Sequence, residues 1–332
     1  MKKILLISTG GTIASISSNE GLVPKINSKK LLEYLNFANI DFDVETINLF
    51  NIDSTDITSY HWLKIKDTIK ENYNKYDGFV ITHGTDTMAY TASALSYLIQ
   101  NSKKPIVLTG SQKSINLDIT DAKNNLLNSL IYASKENSYG VSLIFNGKII
   151  AGTRARKEKS KSFDAFTSIN FPFLAVMQDE KIFRYIKEVK NDKDVIFYDN
   201  LNTNVFVLKL IPSIKPYLLN EIFKHYDAII VESYGLGGIP KSIEDELKIL
   251  TKKYKEKFII MTTQVPQEGS DVGIYEVGKR IDEINYLQAH DMTIESTVTK
   301  IMWALGNFKN DFETIREKFY RQINYDTIYN DN

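Results

Sequence analysis

The sequence Asp-Gly-Phe-Val-Ile-Thr-His-Gly-Thr-Asp-Thr-Met-Ala-Tyr-Thr, residues 77–91, joins the pattern of a strand to that of a helix. The apolar run Phe79–Ile81 predicts a buried strand that ends at Thr82-His83-Gly84. Thr85-Asp86-Thr87 suit the capping position of a helix, and apolar residues recur at helical spacing from Met88 onward. Polar groups thus crowd the carboxyl end of a strand, where open α/β sheets bind ligands, although an ordinary capped turn would look the same locally.

Strand-like and helix-like segments alternate along the whole chain, which predicts an α/β fold with parallel sheets. We expect a larger N-terminal domain over residues 1–187, with a mostly parallel sheet flanked by helices. The polar stretch at 188–204 has no clear period and predicts a linker. Residues 205–332 restart the alternation and predict a smaller α/β domain with its own parallel sheet.

Four local patterns give more detailed predictions. Asn146-Gly147 between two apolar runs predicts a β-hairpin. The stretch Ser15–Ser28 is polar, has no period and predicts a mobile loop. The basic run at 153–162 predicts a solvated loop for most of its charges, and Ser242 is predicted to cap a helix that ends at Tyr254.

The composition excludes several kinds of chemistry. The chain has 332 residues with 41 basic and 41 acidic side chains, so no net charge favours nucleic acid or an anionic membrane. The absence of cysteine excludes disulfides, thiol catalysis and thiolate metal sites, and the four histidines lack the close spacing of a zinc site. The first apolar run is too short for a signal peptide and no stretch could span a membrane, so we predict a cytoplasmic protein.

Polar clusters follow four predicted strands of the N-terminal half, at Thr9–Thr12, Asp53–Asp56, Thr82–Thr87 and Thr109–Gln112. If these strands are parallel neighbours, their carboxyl ends face one crevice. That crevice would hold hydroxyls, carboxylates and closely packed glycine backbone. Such a set suits acyl transfer, in which a hydroxyl attacks a carbonyl and backbone amides stabilise the oxyanion.

The candidate nucleophiles are Thr12 and Thr85, because each directly follows a glycine. A hydroxyl needs a base at neutral pH, and His83 is the only histidine near by, although we favour its interpretation as a packed structural residue. The alternative base is a lysine from residues 154–161 with Asp86 as its partner, and spacing alone does not choose which lysine. Nucleotide binding is a weaker alternative, since the spacing of a dinucleotide or phosphate-binding motif is absent.

Two long motifs stand in register near the start of the chain: Ser8-Thr9-Gly10-Gly11-Thr12-Ile13-Ala14 and Ile81-Thr82-His83-Gly84-Thr85-Asp86-Thr87-Met88-Ala89-Tyr90. They resemble the two signatures of bacterial-type L-asparaginases, and the chain is most similar to the cytoplasmic type I branch. Further matching segments are Asn51–Thr55, Leu108–Gln112, Phe163–Phe166, Glu232–Gly235 and Met302–Gly306. The resemblance implies hydrolysis of L-asparagine to L-aspartate and ammonia through a β-aspartyl threonine ester, without cofactor or metal.

The resemblance also implies a role for each matching residue. Thr12 resembles the first nucleophile, and a second catalytic group consists of Thr85, Asp86 and Lys157. Asp86 would also hold the α-ammonium group of the substrate. The residues implied at the α-carboxylate are Ser54 with its neighbours Asp53 and Thr55, and those that line the pocket through backbone groups are Gly11, Gly84 and Ser111.

Two positions leave alternatives open. Leu22 stands where many family members carry a tyrosine, and we favour its interpretation as an apolar lid residue; a catalytically weakened asparagine-binding or sensing protein is the alternative. Thr55 stands where the secreted branch tends to have glutamine. An asparaginase-like subunit of an archaeal-type tRNA-dependent amidotransferase is a further alternative, which we do not favour because that family adds an N-terminal domain and this chain begins at its first strand. The resemblance further implies a homo-oligomer, either a dimer or a tetramer.

Overall fold

The computed structural model describes residues 1–18, 21–24, 26–35, 41–190, 192–271 and 286–328. The chain divides into two compact units, unit 1 over Met1–Asp199 and unit 2 over Asn200–Asn332. Each unit is built on a sheet with parallel strands and accompanying helices. The predicted fold class, a larger N-terminal α/β domain and a smaller C-terminal one, is confirmed.

The described strands of unit 1 organise it around one large sheet. They are β1 (Lys2–Gly10), β2 (Ser15–Ser18), β3 (Gly21–Pro24), β4 (Phe42–Ile52), β5 (Gly78–Thr82), β6 (Ile99–Gln100), β7 (Pro105–Thr109), β8 (Gly140–Phe145), β9 (Lys148–Ala151), β10 (Ala155–Lys157), β11 (Phe166–Ser168), β12 (Ala175–Gln178), β13 (Lys181–Arg184) and β14 (Ile196–Phe197). Eight of them form a sheet in the order β13-β12-β9-β8-β7-β5-β1-β4. The five strands from β8 to β4 are parallel, and β9, β12 and β13 run antiparallel to their neighbours.

Four α-helices accompany this sheet in the described part of unit 1: α1 (Ser28–Glu33), α2 (Ser59–Asn72), α3 (Met88–Leu98) and α4 (Ala122–Ala133). All five residues of β5 and all five of β7 are buried. Central parallel strands are covered on both faces, which explains why these strands are continuous apolar runs rather than alternating ones. Because these strands are held in the core, the polar residues that directly follow them lie at the carboxyl end of the sheet.

Unit 2 repeats the pattern on a smaller scale. Its described strands are β15 (Val205–Lys209), β16 (Ala228–Ser233), β17 (Phe258–Thr263) and β18 (Tyr286–Gln288), and they pair in parallel in that order. Its described helices are α5 (Leu218–His225), α6 (Lys241–Lys253), α7 (Ile294–Asn307) and α8 (Phe312–Tyr320). Apolar residues of β15, β16 and β17 pack with α5 and α6 in one buried cluster.

Three local predictions need correction and one is confirmed. The predicted loop at Ser15–Ser28 contains the antiparallel pair β2–β3, because strand pairing satisfies the backbone and needs no apolar period. Ser242 is not the cap of α6, whose N-cap is Pro240. The run at 153–162 includes strand β10 and a fully buried Arg154, whose guanidinium bonds the Ile169 carbonyl. The hairpin at Asn146-Gly147 is confirmed, with both residues at positive φ.

Residues near the end of unit 1 pack onto that unit. Strand β14 pairs antiparallel with β6, and the Tyr198 amide donates a hydrogen bond to the Leu98 carbonyl at 2.9 Å. The carboxylate of Asp199 lies 2.6 Å from the Nζ atom of Lys66 on α2. The division between the two units after Asp199 therefore falls inside the segment predicted as a linker.

Candidate active site

The four polar clusters lie at one edge of the unit 1 sheet. They follow β4, β1, β5 and β7, which are consecutive parallel neighbours, so their carboxyl ends point the same way. The Thr9 hydroxyl donates to the Thr82 carbonyl at 2.9 Å, and the His83 amide donates to the Thr109 carbonyl at 2.8 Å. The condition set for a shared crevice, that the four strands are parallel neighbours, is therefore fulfilled.

Three of these clusters approach so closely that only glycine fits. A Cβ atom on Gly11 would lie 2.4 Å from the Gly84 amide nitrogen, and one on Gly84 would lie 2.5 Å from the Ser54 hydroxyl oxygen. Gly11 also has a φ of 76°, in the left-handed region that disfavours other residues. These contacts place the Gly11 backbone, directly before Thr12, next to the Gly84 backbone, directly before Thr85.

Thr12 begins a short 3-10 turn, Thr12–Ala14, and is partly exposed. The Gly11 carbonyl before it accepts hydrogen bonds from the Ala14 amide at 3.1 Å and the Ser15 hydroxyl at 2.9 Å. The Ile13 carbonyl accepts from the Ile115 amide at 3.3 Å. The turn that carries Thr12 is therefore fixed both internally and against the loop that follows β7.

Lys157 lies between Thr85 and Asp86. Its Nζ atom is 2.8 Å from the Thr85 Oγ1 atom and 2.7 Å from the Asp86 Oδ1 atom. Thr85 is 5% exposed, whereas the Lys157 and Asp86 side chains are 18% and 57% exposed. The group can move a proton between hydroxyl, amine and carboxylate, and the exposed side of Asp86 leaves room for a cationic ligand group.

Strand pairing and an ion-pair cluster hold Lys157 in place. Lys157 is the last residue of β10 and is paired with Phe166 of β11. In the connecting loop, the Asp164 carboxylate binds the Nζ atoms of Lys148 at 2.5 Å and Lys159 at 2.8 Å. Hydrogen bonds from these two lysines hold the pKa of Asp164 well below its usual range. These ion pairs therefore hold the loop between β10 and β11, which begins directly after Lys157.

Ser54 joins the cluster after β4 to the one after β5. It is buried, and its hydroxyl oxygen accepts from the Asp86 amide at 3.3 Å while its carbonyl accepts from the Thr87 hydroxyl at 2.7 Å. Asp53 and Thr55 are exposed, and the Asp53 carboxylate accepts from both the amide and the hydroxyl of Thr55 at 2.8 Å. The Ser54 hydroxyl hydrogen can therefore be donated to an anionic ligand group at this position.

The sequence did not predict that Gln112 contacts Thr85. Its Oε1 atom accepts from the Thr85 hydroxyl at 3.3 Å, and its Nε2 atom donates to the carbonyls of Lys159 at 3.3 Å and Ser162 at 3.1 Å. The sequence signals for Gln112 were its place in the cluster at Thr109–Gln112 and in the family-matching segment Leu108–Gln112. Gln112 thus links Thr85 to the loop that follows Lys157.

The loop that carries Gln112 is held by a buried carboxylate. Asp121 accepts hydrogen bonds from the amides of Gln112 and Lys113, the shortest at 2.9 Å. Burial raises the pKa of Asp121, and these amide donors oppose the rise. Ser111 is fully buried and donates its hydroxyl to the Lys113 carbonyl.

His83 does not contact the Thr85 hydroxyl. It is fully buried; its Nδ1 atom lies 2.7 Å from the Gly84 carbonyl, and its Nε2 atom lies 2.9 Å from the Thr91 hydroxyl. Burial lowers its pKa to about 4, so the ring is neutral at neutral pH. The interpretation of His83 as a packed structural residue is confirmed, and a histidine base for Thr85 is not supported.

Three further features complete the description. Leu22 pairs with Ser17 in the β2–β3 ribbon, but its side chain lies outside the described part of the structure. Among the described residues, no three His, Asp or Glu side chains converge as a metal ion would require. No described helix combines the length and apolar character needed to cross a bilayer.

Comparison with protein families gives two matches in chain order. Residues 3–190 match the model "Asparaginase, N-terminal", and residues 204–319 match "Glutaminase/Asparaginase C-terminal domain". An L-asparaginase of Thermococcus kodakarensis is 39% identical over 97% of this chain and 98% of its own length. The solved thermostable L-asparaginase of that organism superimposes with a TM-score of 0.92 at 37% identity, covering 99% of this chain and 100% of that one.

Two more relatives represent two kinds of protein, an L-asparaginase and an amidotransferase subunit. L-asparaginase 1 of Escherichia coli K12 is 31% identical over 97% of both chains. A glutamyl-tRNA(Gln) amidotransferase subunit from Methanosphaera stadtmanae is 35% identical over 93% of this chain and 73% of its own length. Because a family model covers more than half of the chain and full-length relatives exceed 30% identity, the chain belongs to the asparaginase family.

Proposed function

We propose that this protein is an L-asparaginase, which hydrolyses L-asparagine to L-aspartate and ammonia. Membership of the asparaginase family supports the reaction class, and the L-asparaginases of T. kodakarensis and E. coli among its relatives support the substrate. The single observation that carries the proposal is the position of the Lys157 Nζ atom between the Thr85 hydroxyl and the Asp86 carboxylate. A hydroxyl, an amine and a carboxylate in contact form a proton-transfer group that can serve acyl transfer.

In the proposed reaction, the Thr12 hydroxyl attacks the side-chain amide carbon of asparagine. The C–N bond then breaks, ammonia leaves, and a β-aspartyl ester on Thr12 remains. Water attacks the ester carbonyl, the ester C–O bond breaks, and aspartate and the Thr12 hydroxyl are released. The Thr85–Lys157–Asp86 group would accept the proton of the attacking hydroxyl or water and return it to the leaving group.

In the proposed complex, polar and charged groups at the sheet edge bind the α-ammonium and α-carboxylate groups of asparagine. Asp86 binds Lys157 through one carboxylate oxygen, and its exposed face would hold the α-ammonium group of asparagine. Ser54, with Asp53 and Thr55 beside it, would receive the α-carboxylate. The backbones of Gly11, Gly84 and Ser111 would line the pocket, and at Gly11 and Gly84 close packing leaves no room for a side chain.

The proposal is tested by ammonia release from L-asparagine. We expect Thr12→Ala and Thr85→Ala each to abolish turnover at wild-type circular dichroism, because each removes a hydroxyl required by the mechanism. Thr68→Ala, which removes a hydroxyl that donates to the Lys64 carbonyl on α2, is the matched control and should keep full activity. Full activity in both Thr12→Ala and Thr85→Ala would reject the mechanism.

Two other functions are distinguished by simple measurements. A sensing protein would bind asparagine stoichiometrically in calorimetry and release no ammonia over hours, and the residue that favours it is Leu22 in place of a tyrosine. An amidotransferase subunit, favoured by the relative from M. stadtmanae, would need partner components for efficient ammonia release. Rapid turnover by the isolated chain supports the hydrolase over both, and parallel assays with glutamine measure its selectivity.

We also propose, from the family resemblance, a cytoplasmic location and a homo-oligomeric assembly. Sedimentation of the purified chain distinguishes a monomer, a dimer and a tetramer. A monomer that is fully active would contradict the proposed assembly.

A further inference from the structure

A chain of hydrogen bonds runs from helix α2 to the backbone beside Thr85. The Trp62 indole nitrogen lies 2.9 Å from the Thr91 hydroxyl, which lies 2.9 Å from Nε2 of His83. The other ring nitrogen of His83 lies 2.7 Å from the Gly84 carbonyl. Trp62 is 7% exposed, and both Thr91 and His83 are fully buried, so water does not compete for these groups.

The two ends of this chain fix the direction of every bond in it. An indole N–H can only donate and a carbonyl oxygen can only accept. Nδ1 of His83 must therefore carry the hydrogen that Gly84 accepts. Because the buried ring is neutral at neutral pH, its Nε2 atom has no hydrogen and accepts one from Thr91. The Thr91 hydroxyl in turn accepts from Trp62.

The Gly84 carbonyl and the Thr85 amide belong to one planar peptide. In a trans peptide the carbonyl and the N–H point in opposite directions, so holding the carbonyl toward His83 aims the Thr85 N–H away from it. The Thr85 amide makes no hydrogen bond to another described residue, although Thr85 is 95% buried. A buried backbone N–H normally has a partner, which a ligand would supply here.

We propose that His83, held by Thr91 and Trp62, is a positioning residue that aims the Thr85 amide at the oxyanion formed during amide hydrolysis. This inference rests on the proposed function, since it assigns a part of that reaction to the same site. A fixed donor stabilises the developing negative charge without reorganising in the reaction. His83 therefore acts through the backbone and touches neither substrate nor reacting atoms.

Two substitutions of His83 separate its two contacts. Asparagine places a donor near the position of Nδ1 and can keep the bond to Gly84, whereas glutamine reaches the position of Nε2 and keeps only the contact with Thr91. We expect His83→Gln to lower kcat about tenfold and His83→Asn to stay within about threefold of wild type, with KM changed less than about twofold in both. A packing role alone would instead rank the variants by stability and leave kcat of the folded protein unchanged.

Removing the hydroxyl of Thr91 provides a second test, should the His83 variants not fold. Thr91→Val should lower kcat several-fold because the far side of the ring is no longer held, and Thr91→Ser should restore it. Ser129→Ala, which removes a fully buried hydroxyl from α4, is the control and should leave kcat unchanged. Equal kcat in wild type and Thr91→Val would overturn the proposal.

The hydrogen on the His83 ring can be observed without any activity measurement. Long-range proton–nitrogen NMR correlations of the wild-type protein should show His83 with its hydrogen on Nδ1 at neutral pH. A hydrogen on Nε2 would overturn the proposal while leaving the proposed hydrolase function intact. If the hydrogen is on Nδ1 but the chain releases no ammonia, the proposed function fails and, with it, the role assigned to the Thr85 amide.

Discussion

The Nζ atom of Lys157 lies 2.8 Å from the Oγ1 atom of Thr85, although 72 positions separate the two residues in the chain. Thr85 follows a central strand of the large sheet, whereas Lys157 ends a strand of a separate two-stranded ribbon. The contact therefore depends on how the ribbon β10–β11 is held against the edge of the sheet. It is the geometric basis for the first of four predictions on activity and stability.

Replacing Lys157 should remove most of the activity. We expect Lys157→Met to lower kcat for asparagine by about 10² to 10⁴, the usual contribution of a positioned proton-transfer group. Lys161→Met removes an exposed lysine from the same loop and should keep wild-type kcat. Steady-state ammonia release measures both variants, and equal activities would show that the contact with Thr85 has no part in the reaction.

The glycine at position 11 should be irreplaceable for steric reasons. In Gly11→Ala, the new Cβ atom would lie 2.4 Å from the Gly84 amide and the residue would keep an unfavourable φ of 76°. Gly147→Ala imposes a similar φ, 71°, but its Cβ atom would lie 3.2 Å from its nearest neighbour, the Met177 carbonyl. We expect Gly11→Ala to lose about 1–3 kcal/mol more unfolding free energy than Gly147→Ala, measured by urea denaturation, and to lose activity.

The stability of the protein should fall as the pH drops below 6.5, because the folded state keeps His83 neutral. The buried ring has a pKa of about 4, below the value of 6.5 in an exposed histidine. As the pH falls from 6.5 to about 4, the unfolded chain binds a proton that the folded chain does not, so the unfolding free energy decreases by about 3 kcal/mol. This contribution is complete above pH 6.5.

The His83→Gln variant isolates this part of the pH dependence. Glutamine does not titrate, so the difference in unfolding free energy between pH 7 and pH 4 should be about 3 kcal/mol smaller in the variant than in wild type. Urea titrations followed by circular dichroism at both pH values provide the comparison. Identical pH dependence in the two proteins would be inconsistent with a neutral buried His83.

Helix α7 of unit 2 is joined to the C-terminal segment of that unit by a fully buried ion pair. Lys300 of α7 lies 2.5 Å from the Asp326 carboxylate, and it also donates to the Arg321 carbonyl at 2.9 Å. We expect Asp326→Asn to lower the unfolding free energy by about 3–5 kcal/mol, because it removes a carboxylate charge that lies against a buried ammonium group. Glu317→Gln, at the more exposed pair with Lys318, should change it by less than about 1 kcal/mol.

Local sequence patterns predicted much of the fold because burial and strand geometry leave a period in the chain. The run Phe79–Ile81 and the helix after Met88 lie in the sheet and helix that were expected from them. The β2–β3 ribbon was missed because its polar residues show no such period. The strands β12 and β13 at one side of the sheet were missed as well, since short, partly exposed strands carry a weak pattern.

The candidate site could be predicted only to the level of residue clusters. Hydroxyl, carboxylate and glycine residues after successive strands indicated a common crevice, and the family resemblance named Lys157 among the lysines of the basic run. Sequence spacing did not identify the contact of Gln112 with Thr85, because its partners lie 27 and about 50 residues away. It also left the role of His83 open between a base and a packed residue.

The sequence by itself determined the family, the alternation of strands and helices, and the kinds of chemical groups at the sheet edge, because these follow from local periodicity and residue type. Only the tertiary structure decided which groups meet. In the folded chain Lys157 contacts Thr85, the His83 ring contacts the Gly84 carbonyl, and Gly11 packs directly against Gly84. Such contacts join segments that are remote in the chain, and their geometry is set by strand order and packing rather than by any local pattern.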